Sequence, residues 1–204
     1  MVPSTQGPAL PGFTTAARWY GPVPTWVALA DDGVEVAAPA RCDRFHDPDG
    51  DARQANSPAY LMPIDAPATL VARVQVDFVD TFDAGVLMVY ETSDAWAKLC
   101  FERDPAGRST VVSVVTRGRS DDANAFPVAE ASVWLRVSAL PRAYAFHASG
   151  DGRRWDLVRY FRLGSRGRRR LGLSVQAPVG PGCTVRFVDV RLVPGAVADL
   201  RGGA

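Results

Sequence analysis

The chain has 204 residues, 47% of them hydrophobic and 22% charged, with a formal net charge of +1. That length and apolar fraction suit one domain with a sizeable core. The near-zero net charge argues against a general nucleic-acid or anionic-membrane surface.

Residues 1–12 hold three prolines and no periodic pattern, and read as a loose N-terminal arm preceding a single domain over 13–204. Trp26–Ala30 and Gly33–Ala37 can form the first strands, and Arg41–Ala55 reads as a long polar loop. From Leu70 onward, alternating segments predict strands over Leu70–Phe78, Gly85–Glu91, Trp96–Arg103, Thr110–Arg117 and Ser132–Ser138. The pattern continues over Ala143–Ser149, Trp155–Phe161, Leu171–Gln176 and Thr184–Leu192. Turn chemistry separates them, as in Asp104-Pro105-Ala106-Gly107, Ser149-Gly150-Asp151-Gly152 and Pro178-Val179-Gly180-Pro181-Gly182. The run Arg166 to Arg170 reads as an exposed turn, with no interleaved aromatics to make it a nucleic-acid patch. Regular short strands without a helical stretch predict an all-β sandwich or jelly roll.

The most informative strand is Ala95–Arg103. The basic residues comprise twenty-two arginines and one lysine, and that lysine, Lys98, lies here. Ala97, Leu99 and Phe101 form one face; Trp96, Lys98, Cys100 and Glu102 form the other. Lys98 and Glu102 stand roughly 13 Å apart along the strand axis, too far to bridge directly and far enough to hold something between them. Ser113, Arg136 and Arg159 are candidate same-face neighbours. An aromatic ring with bidentate donors and a carboxylate is what a sugar or a small polar acid requires. If these residues line a pocket, Lys98→Met should leave folding nearly intact and remove binding. The competing reading is a solvated sheet face. Trp155 reads as a core plug beside its turn.

Other chemistries find less support. His46 and His147 are the only histidines, and two distant imidazoles make no metal site, although His147 could act as an acid or base. Cys42, Cys100 and Cys183 share no ligand spacing and fit free thiols in a reducing compartment. Asp47-Pro48-Asp49-Gly50-Asp51 lacks the sixth-position glycine and twelfth-position glutamate of a calcium loop. No metal or other cofactor is expected. No signal peptide or transmembrane-length run is visible, so a soluble, cytoplasmic protein without a membrane partner is expected. No nucleophile elbow, phosphate loop or dinucleotide fingerprint is present.

Several short motifs, in order, carry a resemblance. They are Gly85-Val86-Leu87-Met88-Val89, Trp96-x-Lys98-x-x-x-Glu102, Ser113-Val114-Val115-Thr116 with Ser120-Asp121, and Trp134-Leu135-Arg136. Ser149-x-Asp151-Gly152-x-x-Trp155, Gly172-Leu173-x-x-Gln176-x-Pro178 and Phe187 complete the set. On these the chain resembles the DUF1349 family, which includes regulation-of-enolase-like proteins with a concanavalin A-like lectin/glucanase fold. The family usually has tryptophan after Ser-Asp, where this chain has Asp122, and its early Asp-Phe-Trp motif corresponds loosely to Asp43-Arg44-Phe45. The resemblance implies a jelly-roll sandwich of two curved antiparallel sheets, one with a concave outer surface of the kind that often binds sugars. Retaining glucanases on related folds carry acidic residues at alternate strand positions, whereas here Asp104, two residues after Glu102, precedes a proline in a turn.

Three functions follow as expectations. One is a module that binds a carbohydrate or other polar small molecule through Trp96, Lys98, Glu102, Ser113, Arg136 and Arg159. Another is a lyase-, isomerase- or cyclase-type enzyme using Lys98 and Glu102, with His147, for acid–base chemistry. The third is an intracellular regulatory protein-interaction domain.

Overall fold

The computed structural model describes residues 7–65 and 67–203. Among these the secondary structure is strand, turn and bend, with no helix. In chain order the strands are β1 (Arg18–Tyr20), β2 (Trp26–Leu29), β3 (Gly33–Pro39), β4 (Arg44–His46) and β5 (Arg53–Ala55). Next come β6 (Ala59–Pro63), β7 (Ala68–Asp77), β8 (Ala84–Thr92), β9 (Ala95–Arg103), β10 (Ser109–Arg117) and β11 (Arg119–Pro127). The last are β12 (Ser132–Ala139), β13 (Tyr144–Ser149), β14 (Asp156–Phe161), β15 (Arg170–Gln176) and β16 (Gly182–Pro194).

They form two seven-stranded sheets and one small hairpin. The first sheet is ordered β1-β6-β15-β8-β9-β10-β11, the second β14-β13-β12-β7-β16-β3-β2, and β4 pairs only with β5. All named pairs are antiparallel. The fold is the jelly-roll sandwich of concanavalin A-like proteins, as the sequence pattern and the resemblance led us to expect.

The core lies between the sheets and follows from the two-residue alternation. Leu87, Val89, Leu99, Phe101, Leu171 and Leu173 point inward from the first sheet. Leu70, Val74, Leu135, Phe146, Val185 and Phe187 meet them from the second. Burying each such side chain contributes about 1.5–3 kcal/mol of transfer free energy.

Five segments differ from the sequence expectation, two of them the unanticipated strands β1 and β6 of the first sheet. β11 carries Arg-Ser-Asp-Asp-Ala-Asn-Ala-Phe-Pro at the edge of the first sheet and is mostly exposed, so no hydrophobic alternation marks it. The supposed polar loop contains the β4–β5 hairpin, whose Phe45 and His46 are polar-flanked but packed down on the first sheet. Residues 7–12, the described part of the expected loose arm, are tied to the domain. Leu10 is buried, Tyr60 donates to the Pro8 carbonyl at 3.1 Å and Leu192 N donates to the Pro11 carbonyl. Residues 1–6 lie outside the described residues.

Gly172 in β15 shows how closely the first sheet is built. A Cβ there would collide with the Tyr60 carbonyl oxygen of neighbouring β6, backbone that cannot swing away. Gly172→Ala should therefore lower the melting temperature by roughly 2–12 °C, from an overpacking cost of about 1–3 kcal/mol. Gly150→Ala, with open space around its Cβ, is the control and should melt within about 2 °C of wild type. Equal melting temperatures for the two variants would contradict this packing.

Candidate functional site

Lys98 occupies the middle of β9, between Met88 of β8 and Val114 of β10. Alternation sends it, with Trp96, Cys100 and Glu102, to the outer face of the first sheet. That face is neither solvated nor an open groove. Ala59, Leu61, Val86, Met88, Trp96, Cys100, Val112 and Val114 form a second apolar cluster there, covered by Phe45, Tyr20 and Tyr90. The cover is the segment from Cys42 to Ser57, which carries the β4–β5 hairpin. It is pinned at one end by a reciprocal bridge between Cys42 and Ala177. Asn56 N and Ser57 N donate to the Asp43 carbonyl, and Asp43 N donates to Asn56 Oδ1 at 2.9 Å. His46 N donates to Ser120 Oγ at 2.9 Å, tying the hairpin to β11.

Trp96 belongs to this cluster. It is fully buried, meets the His46 ring edge-on at 5.6 Å and donates from Nε1 to the Ser93 carbonyl at 3.1 Å. The Arg44 guanidinium lies 6.0 Å from its ring. The indole thus anchors the cover and does not line the cavity beside it.

That cavity, about 170 Å³, opens where the cover ends. Lys98, Glu102, Asp43 and Gln176 supply its polar groups, with Asp122 of β11 at the exposed rim. Phe45, Phe82, Val114 and Pro178 supply its apolar walls. Lys98 Nζ donates to Asp43 Oδ1 at 3.2 Å and to Gln176 Oε1 at 2.8 Å. Gln176 Nε2 donates to Glu102 Oε2 at 3.1 Å and to the Phe82 carbonyl at 3.0 Å. What lies between Lys98 and Glu102 is therefore the carboxamide of Gln176, hydrogen-bonded to both. Glu102 Oε1 has no hydrogen-bond partner among the described residues.

Burial opposes charge on the Lys98 ammonium, but Asp43 and Glu102 outweigh it and hold its pKa above the ordinary value. Glu102 goes the other way. Burial pushes its carboxyl up to about 8; Lys98 offsets this only in part, while Asp122, Asp43 and Asp104 add to it. At neutral pH Glu102 is mostly the protonated acid, able both to donate and to accept. Phe82 adds strain at the mouth. It holds φ at 66°, a left-handed conformation unfavourable for a bulky residue, while its ring remains 39% exposed.

The other expected site residues lie elsewhere. Lys98 faces Val114 across the β9–β10 ladder and Ser113 faces Leu99, so Ser113 leaves the opposite face of the sheet. Arg159 of β14 reaches Ser113 Oγ at 3.4 Å and pairs with Asp121 at 2.7 Å. Those two residues meet, but at the side of the sandwich, where they join the edges of the two sheets. Arg136 and His147 are paired neighbours on the outer face of the second sheet. There Arg136 Nη2 donates to the Gly203 carbonyl and His147 Nε2 to the Leu200 carbonyl, at 2.8 and 2.9 Å. Burial lowers the His147 pKa. Both sheets and the core thus lie between His147 and the Lys98–Glu102 cavity, and acid–base cooperation among the three is excluded. Trp155 is half-buried over Arg136, 4.2 Å from its guanidinium, and is not a core plug. Lys98 lines the cavity but is also structural, since its loss would strand the buried Asp43 carboxylate.

Asp43, Phe45, Phe82, Asp122 and Val114 were not among the expected site residues, nor was Gln176 named as one. Asp104 is absent from the cavity because its carboxylate accepts from Ala106 N, Arg108 N and the Arg108 guanidinium in the turn. The three cysteines are free and buried, and burial raises each thiol pKa, which makes them poor nucleophiles. Asp51 of the acidic loop pairs with Arg119 at 2.8 Å. Among the described residues no three carboxylate, imidazole or thiol groups come together as a metal-ligand set. No helix among them is long and apolar enough to cross a membrane.

The pKa of Glu102 makes a stability test with a definite sign. Between the ordinary carboxyl value of 4.5 and about 8, the folded chain holds one proton that the unfolded chain has released. Stability from this group therefore falls as pH rises through that window. Glu102→Gln lacks the proton. Its melting temperature should rise relative to wild type by several degrees between pH 5 and pH 9. A gap that stays constant with pH would contradict the raised pKa.

The family described as "Protein of unknown function (DUF1349)" matches residues 19–194. No curated protein matches the chain by sequence. Among solved structures, a functionally unknown protein from Saccharomyces cerevisiae is 21% identical with a TM-score of 0.81, covering 89% of this chain and 98% of its own. The GH43 protein BlXynB from Bacillus licheniformis is 13% identical with a TM-score of 0.64 over 80% of this chain, which spans 33% of that protein. The carbohydrate-binding module CBM66 from Bacillus subtilis is 14% identical with a TM-score of 0.56, covering 91% of this chain and 99% of its own. At these identities the likeness is one of fold. The family match spans most of the chain, and the protein belongs to the DUF1349 family.

Proposed function

We propose that the protein is a binding module whose cavity beside Lys98 and Glu102 holds a small polar ligand, a carbohydrate foremost. One observation carries this reading. A buried chain of polar contacts, Asp43–Lys98–Gln176–Glu102, ends in a cavity faced by the rings of Phe45 and Phe82. Fixed donors and acceptors on one side with apolar rings on the other match the two characters of a sugar ring, hydroxyl edge and CH face. The cavity is smaller than the roughly 300–1,000 Å³ of sites for drug-sized ligands. It suits a single ring or the end of a chain. The fold it shares with a named carbohydrate-binding module supports the choice of ligand class, though fold alone carries little weight.

An enzymatic alternative has one observation in its favour. Glu102 is a largely protonated carboxyl beside Asp122 in a cavity, as a general acid would be. Such chemistry would use Glu102 with Lys98 and without His147.

Binding is tested by calorimetry with a panel of neutral pentoses and hexoses against wild type and two variants. Val114→Phe should fill the cavity, and Phe82→Gly should remove a wall while relieving the left-handed strain. Each should weaken a wild-type hit by about tenfold or more, the 1–2 kcal/mol scale of one lost hydrophobic contact. Affinities unchanged in both variants would remove the cavity from consideration.

A further inference from the structure

We infer that the cavity selects by charge, favouring ligands that carry an amine and rejecting those that carry a carboxylate or phosphate. This rests on the reading above that the cavity takes a polar small molecule, and it narrows the class. Three carboxyl groups, Asp43, Glu102 and Asp122, line the cavity, and among the described residues the only cation lining it is Lys98. That ammonium is already committed to Asp43 and to Gln176 Oε1. One of its three N–H donors is left, and Asp43 already offsets its charge.

The nearby guanidiniums are spent elsewhere. Arg44 lies against the Tyr90 and Trp96 rings and donates to the Ala55 carbonyl. Arg159 pairs with Asp121, whose side chain leaves the other face of β11 from Asp122. Arg108 is held by Asp104 in the turn beyond Glu102. Asp122 has no ion-pair partner among the described residues.

Glu102, whose Oε1 has no hydrogen-bond partner among the described residues, lines the cavity together with Phe45 and Phe82. A carboxyl group with aromatic neighbours is suited to an ammonium, which gains from both the charge and the ring faces. An anion there would meet the Asp122 carboxylate, and any ionised Glu102, as like charges in a partly dehydrated space. A neutral hydroxyl compound avoids this penalty and lacks the gain.

Amine binding has a proton balance that neutral binding lacks. Glu102 is mainly protonated at neutral pH because burial and the surrounding acids raise its pKa to about 8. The groups that act on it are Lys98 on its own strand, Asp122 from β11, Asp43 from the cover and Asp104 from the following turn. When an ammonium ligand binds, the Glu102 O–H bond breaks, its electron pair stays on the carboxylate and the proton passes to the buffer. Affinity for an amine should therefore rise with pH between 5.5 and 7, below the range in which an amino sugar itself loses its proton, by up to about tenfold per unit. Affinity for a neutral sugar should not follow that slope.

The test uses the full chain and titration calorimetry with glucose, glucosamine, glucuronic acid and glucose 6-phosphate, and with the matching galactose series. Experiments at pH 5.5, 6 and 7, in buffers of different ionisation enthalpy, report protons released. In at least one series the amine should bind about tenfold or more tightly than the acid and the phosphate, with the neutral sugar between, and should release up to one proton. Glu102→Gln should shrink the amine preference and abolish the proton release. If the acid or phosphate binds as tightly as the amine, the charge selection is wrong while the polar-ligand reading stands. If the neutral and charged sugars of both series all fail to bind, both are overturned.

Discussion

The Lys98 ammonium lies in the centre of a sheet face with 3% of its residue surface exposed, and a charge so placed must be compensated. Dehydrating such an ion costs several kcal/mol, which only a close counter-charge and further hydrogen bonds can offset. β9 and its neighbours cannot supply the counter-charge, since Met88 and Val114 flank Lys98. Asp43 supplies it at 3.2 Å, from the start of the segment that crosses the sheet. The backbone is shaped to hold that carboxylate in place. Arg44 N donates to its Oδ1, and Asn56 closes the loop on the Asp43 backbone. Once the segment lies across the sheet, Trp96 and the apolar cluster gain their cover, and the cavity exists because the cover stops short of Glu102. A single ion pair thus connects the fold of the first sheet to the shape of the site.

Gln176 extends the connection. It takes a hydrogen bond from Lys98 on one side and gives hydrogen bonds to Glu102 and the Phe82 carbonyl on the other. The strained turn at Phe82, the raised carboxyl of Glu102 and the ion pair are therefore parts of one network. Functional sites commonly accumulate local costs of this kind, an off-centre backbone and an ionisable group held against its preferred state. Here the core between the sheets bears those costs, and its alternating aliphatic and aromatic residues show no comparable irregularity at the cavity's base.

The sandwich was legible because its strands alternate. Leu70–Phe78, Trp96–Arg103 and Thr184–Leu192 each send alternate residues into the core between the sheets, and polar or glycine-rich turns separate them. β11 was hidden because a polar edge strand buries almost nothing, so alternation has no hydrophobic marker. The β4–β5 hairpin was hidden because its six strand residues include two arginines, a histidine and a glutamine, and only tertiary contact buries β4. The same distinction holds for the site. Period two within one strand puts Lys98 and Glu102 together without knowledge of the fold. Register between strands is needed to see that Ser113 points away from Lys98, and sheet order to see that Arg136 and His147 belong to the other sheet. Asp43, Phe45 and Asp122 stand where the chain departs from the usual family motifs, and all three line the cavity. Those departures were the available signal, because a ligand site is where substitutions change specificity without changing the fold.

The dependence of the whole arrangement on Lys98 and Asp43 is tested most directly by a double-mutant cycle on unfolding free energy, with Lys98→Met, Asp43→Asn and both together. Each single change should cost a few kcal/mol, because it leaves one buried polar partner stranded, with Lys98→Met in the range of about 3–5 kcal/mol. The double variant should cost clearly less than the sum, giving a coupling of about 2 kcal/mol or more. A coupling below about 0.5 kcal/mol would mean that the two charges do not depend on each other, and the cover would have to be held on the sheet by something else.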